Sequence, residues 1–217
     1  MQSFCLLRIK EQYQEEFVMV KKKTQKLAVC AIFGAIIAVI SFLPLRTAGL
    51  EITLSMVPIA VGAICFGPTV GLFLGTVFGT VSFLQCVIGF SPFGAALLSI
   101  NPWLTFLVCV PTRMLAGYLC GVIHKAVCRL NAGASYVAAS LAAPLLNTAL
   151  FMGTLVAFFY NTELIQGFAT SLNAANPFVF VLLFVGINGL VELIVGFVLA
   201  VPCSWAVDRA LKSLQKQ

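Results

Sequence analysis

Apolar residues occupy most of the chain in long runs, and short polar or proline-containing segments separate these runs. The runs predict six helices, at approximately 27–45, 53–67, 69–89, 101–124, 134–160 and 178–207. The hydrocarbon core of a bilayer is about 30 Å thick, and a helix needs roughly 20 apolar residues to cross it. The pattern therefore predicts an all-α integral membrane protein, with six transmembrane helices in one compact bundle over residues 21–210.

The composition agrees with this fold class. The 217 residues are 61% hydrophobic and only 9% charged, and the mean hydropathy is +1.06. Such a composition excludes a water-soluble globular protein. Only the residues FGPT separate the second and third predicted helices, and Gly67 and Pro68 favour a tight turn there. These two helices are expected to form an antiparallel hairpin.

The basic residues predict the orientation in the membrane. Of the 13 Lys and Arg residues, six precede Leu27, two are Lys125 and Arg129, and three follow Trp205. Because cytoplasmic segments of membrane proteins carry an excess of Lys and Arg, both termini are predicted to be cytoplasmic, with residues 211–217 as a short tail. The net charge of +6 is then mainly a signal of orientation. No nucleic-acid partner is expected, since the basic segments lack interleaved aromatic residues.

The first 20 residues stand apart from the predicted bundle. They mix polar and apolar positions and lack the long apolar core and the small-residue cleavage site of a signal peptide. Residues 1–20 are therefore expected to be a poorly ordered or untranslated extension. Met19 opens the stretch MVKKKTQKLAVCAIFGA, which is a natural start for a helix with a basic cytoplasmic flank.

Small residues recur at helical spacing in two of the predicted helices. Gly71, Gly75 and Gly79 place three glycines on one face of the third helix, where another backbone can approach closely. An intramolecular helix contact is the favoured interpretation, and contact with a partner subunit is the alternative. Ala31 and Ala35 give the first helix a comparable face, but their spacing does not decide which helix they meet.

Two charged residues fall at mid-depth in predicted transmembrane helices. Arg113 lies 12 residues before Lys125, which corresponds to ~18 Å along a helix, and Glu192 lies at a similar depth in the sixth helix. A charge costs at least ~2.5–3.5 kcal/mol at the centre of a bilayer, so such residues face a cavity, a partner or a substrate. The sequence leaves two hypotheses open, a buried ion pair between Arg113 and Glu192 and an arginine that binds a carboxylate or phosphate ligand.

Polar residues are dense in the segments expected to face outward. Beside Trp103, Phe106 and Tyr160, they are suited to a pocket for a small polar molecule with some apolar surface. The alternative for each is a hydrogen bond to another helix or to lipid headgroups. The segment GFSPFGAALLSINPW is predicted to be an irregular loop that could act as a lid. The candidate substrate-binding residues are Arg46, Glu51, Gln85, Asn101, Thr105, Arg113, Asn147, Asn188 and Glu192.

Motifs for enzymatic chemistry are missing from the sequence. It contains no GxSxG, no HExxH and no GxxxxGK[ST], and it has a single histidine, His124. The eight cysteines form no CxxC pair and are expected to act as small apolar residues. We therefore expect neither catalysis nor ATP hydrolysis by this chain, and neither a metal nor another cofactor.

Two stretches carry a family resemblance, AGLEITLSMVPIAVGAICFGPTVGLFLGTVFGTVSFLQC and INPWLTFLVCVPTRMLAGYLCGVIHK. With the basic start and the alanine face of the first helix, the chain resembles the substrate-binding S components of energy-coupling-factor (ECF) vitamin transporters over roughly residues 21–210. The resemblance implies a six-helix protein that captures one vitamin from outside. It would then associate with a transmembrane coupling protein, the T component, and two cytoplasmic ATPases.

The resemblance also implies where ligand and partner bind. Ala31 and Ala35 match the AxxxA that meets the coupling protein in this family, and the vitamin site matches residues within 46–53, 85–105 and 147–192. The chain is most similar to S components of the pantothenate type, and riboflavin-type members share the general pattern. An S component for riboflavin or another vitamin, an ion-coupled secondary carrier and a structural membrane subunit remain alternatives. No repeat between the two halves of the chain supports the carrier.

Overall fold

The computed structural model of the protein describes residues 24–43, 46–47, 50–51 and 54–214, without the side chains at positions 46, 47, 50, 51, 187, 188 and 214. The extension predicted at residues 1–20, the start at Met19 and the tail from residue 215 onward lie outside the described residues.

Helices make up almost all of the described chain. The first helix is α1 (Thr24–Ser41). The elements that follow are β1 (Arg46–Thr47), β2 (Leu50–Glu51), α2 (Met56–Phe66), α3 (Pro68–Val87), α4 (Pro92–Ile100), α5 (Pro102–Cys128), α6 (Ala132–Phe159), α7 (Glu163–Ser171), α8 (Pro177–Val195), a π-helix (Gly196–Ala200) and α9 (Val201–Leu214).

Each of the six predicted helices has a counterpart, but the predicted count of six membrane spans is not confirmed. Within the described residues, five helical stretches are long and apolar enough to cross a membrane; the last of them, Gly189–Ser213, joins part of α8 to α9. Of the predicted spans, α2 is the one that is too short to cross a membrane, because its 11 residues extend only about 16 Å. Nearly all of its side chains are buried against other helices, so α2 is a core helix.

Two segments between the predicted helices are helical. The stretch predicted as an irregular lid forms α4, with Pro92 in its first turn, and residues 163–171 form α7. Proline is favoured in the first turn of a helix because the missing N–H has no partner there anyway. Pro92 and Pro102 therefore begin α4 and α5 and are not loop residues, which corrects the sequence-based interpretation.

The link between α1 and α2 contains a small exception to the all-α prediction. β1 and β2 pair as antiparallel strands, with Arg46 opposite Glu51 and Thr47 opposite Leu50. This two-residue ladder folds the link back on itself between α1 and α2.

The glycine face of α3 packs against α5 in the same chain. A Cβ atom on Gly71 would lie 2.2 Å from the carbonyl oxygen of Gly117, and one on Gly75 would lie 2.3 Å from that of Arg113. At Gly79 the nearest backbone atom is the Cα of Val110, at 2.7 Å. These distances leave no room for a side chain, so the three glycines set how closely the two helices approach.

The two ends of the bundle differ in character. At one end, which we call the basic end, the turn between α2 and α3 meets the last turns of α5: a Cβ on Gly67 would lie 3.9 Å from the Cε of Lys125. The thiol of Cys65 donates to the carbonyl of Ser204 over 3.4 Å, which ties α2 to α9 near this end. The C-terminal ends of α1 and α3 lie at the opposite end, joined by a hydrogen bond from Gln85 to Ser41.

The counterpart of the sixth predicted helix is irregular. Gly186 has φ 32° and ψ −119°, which breaks α8 into two helical pieces. Residues Gly196–Ala200 then form a π-helix before α9 begins. A Cβ on Gly196 would lie 3.2 Å from the carbonyl oxygen of Ser140. Pro144, four residues further along α6, has no N–H to donate to that carbonyl, so the irregular segment packs where α6 itself is interrupted.

Candidate ligand-binding cavity

A cavity of about 130 Å³ lies inside the bundle, between Arg113 at mid-depth and the end opposite the basic end. Polar and apolar side chains alternate in its wall, as is usual for sites that bind small molecules. The lining residues are Ile40, Ser41, Leu43, Ser55, Phe78, Ser82, Gln85, Cys86, Ser91, Phe93, Gly94, Leu97, Cys109, Arg113, Asn147, Thr148, Phe151, Met152, Val185, Gly189 and Glu192.

Arg113 is the cation among the described residues that line this cavity. Its side chain is only 7% exposed, and the guanidinium carbon lies 4.7 Å from the ring centre of Phe78 and 5.0 Å from that of Phe151. Nη1 donates to the carbonyl of Cys109 over 3.0 Å. Nε is buried and has no hydrogen-bond partner. The two aromatic rings hold the cation by cation–π attraction, while one N–H still lacks an acceptor.

The position of Arg113 follows from the packing of α3 on α5. Gly75 brings the backbone of α3 against the carbonyl of Arg113, and Phe78 follows one turn later on α3. The ring of Phe78 therefore lies beside the guanidinium that the α5 backbone carries. The close contact between α3 and α5 at the glycine face thus places the ring of Phe78 next to Arg113.

Asn147 supplies an acceptor to the same cavity. Its side chain is 5% exposed, and its Oδ1 is buried without a hydrogen-bond partner. Thr148 and Phe151 lie on the same face of α6 and also line the cavity. An unpaired buried polar atom costs about 1–3 kcal/mol, so Asn147 and Arg113 both gain if a polar ligand enters.

Glu192 lines the cavity from α8 and is 9% exposed. It lies between the break at Gly186 and the π-helix that begins at Gly196. No ion pair joins it to Arg113 among the side chains that the structure describes. Arg113 and Glu192 line the same cavity, but they do not form the direct ion pair that is one of the two hypotheses from the sequence.

A short chain of hydrogen bonds runs along the cavity wall beside α1. Gln85 Nε2 donates to the carbonyl of Ser41 over 2.5 Å, and the hydroxyls of Ser41 and Ser55 lie 3.0 Å apart. These contacts join the end of α3 to the end of α1 and the start of α2. Gln85, a predicted site residue, therefore both lines the cavity and braces its wall.

Two predicted site residues do not line the cavity. Asn101 caps α5, and its Oδ1 accepts hydrogen bonds from the backbone N–H groups of Trp103 and Leu104 over 3.1 and 3.2 Å. The hydroxyl of Thr105 donates to the carbonyl of Asn101 over 2.9 Å. Asn101 therefore stabilises the start of α5 as its N-cap, and the Thr105 hydroxyl is used within the same helix.

Three further predicted site residues have side chains outside the described part. For Arg46 and Glu51 the structure describes the strand pairing of their backbones, and for Asn188 the helical backbone of α8. Their roles stay predictions. Within the described residues, no group of three or more His, Cys, Asp or Glu side chains could hold a metal ion.

Several cavity residues were not predicted from the sequence. Phe78 and Phe151 were absent from the candidate set because aromatic residues in apolar helices are indistinguishable from core residues. Both lie one helical turn after a residue that stands out in the sequence. Phe78 follows Gly75 of the glycine face, and Phe151 follows Asn147, a polar residue in an apolar helix. Aromatic residues spaced three or four positions from such residues could have been added to the candidates.

The predicted partner face on α1 is exposed. Ala31, Ala35 and Ile36 are exposed, whereas Gly34 and Ile37 are buried. The buried face packs on α2 and α3, where Ile37 joins the apolar cluster of Ile59. No described part of the chain therefore covers Ala31 and Ala35.

Comparisons with known proteins identify the family. Residues 25–204 match the family described as ECF transporter, substrate-specific component. The chain is also 32% identical over 159 residues to the pantothenic acid transporter PanT of Lactococcus lactis subsp. cremoris (strain MG1363), an alignment that covers 66% of this chain and 79% of that protein. The family comprises substrate-binding subunits of transporters, in agreement with the resemblance found in the sequence. The chain is a multi-pass membrane protein that belongs to the ECF transporter substrate-specific components.

Proposed function

We propose that this chain captures pantothenate at the cell membrane, as the S component of an ECF-type ABC importer. The observation that carries the proposal is a cavity into which a buried arginine N–H and a buried asparagine oxygen are brought, neither of which has a hydrogen-bond partner among the described residues. The similarity to a pantothenic acid transporter supports the same substrate. Uptake would need the coupling protein and two ATPases that the family uses.

The chemistry of pantothenate fits the groups in the cavity wall. The molecule has a carboxylate at one end, an amide in the middle and two hydroxyls at the other end. The carboxylate would bind the free edge of Arg113, where a charge-assisted hydrogen bond is about twice as strong as a neutral one. A hydroxyl or the amide N–H would donate to Asn147 Oδ1, and Glu192 offers acceptors for a second hydroxyl. The apolar part of the ligand would contact Met152 and Val185.

Two alternatives, a flavin as the substrate and an ion-coupled secondary carrier, agree less well with this chain. A flavin binds by stacking of its ring system, but the three described phenylalanines in the cavity lining already have ring partners. Phe78 and Phe151 lie against the guanidinium of Arg113, and Phe93 packs against Phe168 and Phe184. An ion-coupled secondary carrier is disfavoured by the match of residues 25–204 to the ECF substrate-specific components.

The exposed alanine face of α1 is proposed to bind the coupling protein. Replacement of both Ala31 and Ala35 by tryptophan should abolish formation of the complex with the coupling protein and the ATPases, because two bulky side chains would separate the helices. Vitamin binding should be unchanged, since neither alanine lines the cavity. Co-purification of the complex, with ligand binding measured on the isolated variant, checks both expectations.

The matched control is Leu190→Trp, at a side chain that is 62% exposed on α8. This variant should assemble normally. Loss of vitamin binding in the double alanine variant would instead mean that this face belongs to the fold of the chain.

The substrate is tested by thermal unfolding of the detergent-purified chain with each water-soluble vitamin in turn. A ligand at 100 times its dissociation constant should add about 2.7 kcal/mol to the free energy of unfolding. Pantothenate alone should raise the melting temperature. A selective shift with riboflavin or another vitamin would change the substrate, and no shift with any of them would favour a carrier or a structural subunit.

A further inference from the structure

A second, open groove of about 740 Å³ lies at the basic end, between the start of α6 and the segment formed by the π-helix and α9. It is separate from the ligand cavity, with which it shares no lining residue. It also does not include the alanine face of α1. Neither of the two sites already described uses it.

One part of the groove is apolar and continues into the membrane-spanning part of the chain. Phe197 and Val198 are 51% and 56% exposed, and Val201 and Pro202 extend this surface toward Trp205. On the α6 side the groove is lined by the small Ala132 and Gly133 and by Tyr136. The groove therefore has an exposed apolar wall beside the π-helix.

The other part of the groove is polar and has a cation without a carboxylate partner. Asp208 accepts a hydrogen bond from the hydroxyl of Tyr136 over 2.6 Å and forms an ion pair with Lys212 at 2.5 Å. Arg209 instead lies with its guanidinium carbon 5.1 Å from the ring centre of Trp205. Among the described residues it forms no ion pair with an acidic side chain, and it is an exposed lining residue of the groove.

We infer that this groove binds one anionic phospholipid, with its phosphate on Arg209 and an acyl chain along Phe197 and Val198. A guanidinium held flat by an aromatic ring can bind a phosphate through two N–H groups. Tryptophan favours the depth of lipid headgroups, and basic pockets between transmembrane helices bind anionic headgroups. The apolar surface next to the cation favours a lipid over a free phosphate, which would leave that surface without a ligand contact.

Native mass spectrometry of the full chain, released from detergent micelles, tests the inference. The probes are phosphatidylglycerol and phosphatidylcholine with the same acyl chains, each added at equal concentration. Phosphatidylglycerol should remain bound several times more often than phosphatidylcholine. Arg209→Gln should weaken phosphatidylglycerol binding about fivefold, since each basic residue near the headgroup adds attraction of this order.

The control is Arg129→Gln, which removes the same charge from an exposed residue outside the groove. It should bind phosphatidylglycerol as the unchanged chain does. An equal loss in both variants would overturn the proposal, because attraction by net charge would then suffice. Equal retention of the two lipids, or a rise in melting temperature with glycerol phosphate as large as with phosphatidylglycerol, would overturn it as well.

Discussion

Replacement of Arg113 by glutamine is expected to raise the dissociation constant for pantothenate about a hundredfold, which corresponds to about 2.7 kcal/mol. Loss of one partner of a buried, hydrogen-bonded charge pair costs this much or more, because the other charge stays buried without a partner. The carboxylate of the ligand would be that other charge. Titration calorimetry of the purified variant measures the change directly.

The same substitution should not destabilise the ligand-free protein. The substitution removes the cation–π contacts with the rings of Phe78 and Phe151 and the hydrogen bond to Cys109. It also removes a buried charge that forms no ion pair among the described residues. A buried charge without a counter-charge is costly, so Arg113→Gln should leave the melting temperature of the free protein unchanged or raise it. Lys125→Gln, on the same helix but at the basic end, should alter neither quantity. A loss of stability with unchanged binding would make Arg113 a structural residue.

Replacement of Gly75 by leucine is expected to prevent the α3–α5 contact from forming. Its Cβ would lie 2.3 Å from the carbonyl oxygen of Arg113, and backbone cannot move aside as a flexible side chain can. Overpacking of a core typically costs 1–3 kcal/mol and occasionally more; since this clash is with backbone, we expect a loss of at least about 3 kcal/mol. The yield of folded protein and its melting temperature should both fall sharply.

Gly153→Leu provides the matched comparison. Gly153 lies within α6, and a Cβ at this position would meet nothing within 4 Å. This variant should fold and bind ligand normally. Leucine is a better helix former than glycine, so an equal loss of stability in both variants would mean that the loss does not come from the close contact between α3 and α5. If neither variant loses stability, that contact is not required.

Features encoded locally could be predicted from the sequence. Long apolar runs located the helices, since a helix in a bilayer must satisfy its own backbone and expose apolar side chains. Gly71, Gly75 and Gly79 indicated a close helix contact because residues four apart share a face. Gln85, Arg113, Asn147 and Glu192 were found as cavity residues because polar side chains are costly in such helices.

Features that depend on tertiary contacts or on local capping could not be predicted in this way. Asn101 looked like a ligand-binding residue, but it precedes Pro102 at the start of α5, a position where asparagine caps the helix. The segment of α4 was interpreted as a loop on account of its prolines. The break at Gly186 has no local signal beyond one glycine, and the pairing of Phe78 and Phe151 around Arg113 requires three helices to be in place.

Recognition of a carboxylate by Arg113 is tested most directly by equilibrium binding of pantothenate and of panthenol to the purified full chain. Panthenol has an alcohol in place of the carboxylate and otherwise the same structure. We expect saturable binding of one pantothenate per chain and binding of panthenol that is weaker by about a hundredfold, with this difference lost in Arg113→Gln. Equal affinity for the two compounds, or no binding of pantothenate, would contradict the claim that Arg113 recognises the carboxylate of a vitamin in this cavity.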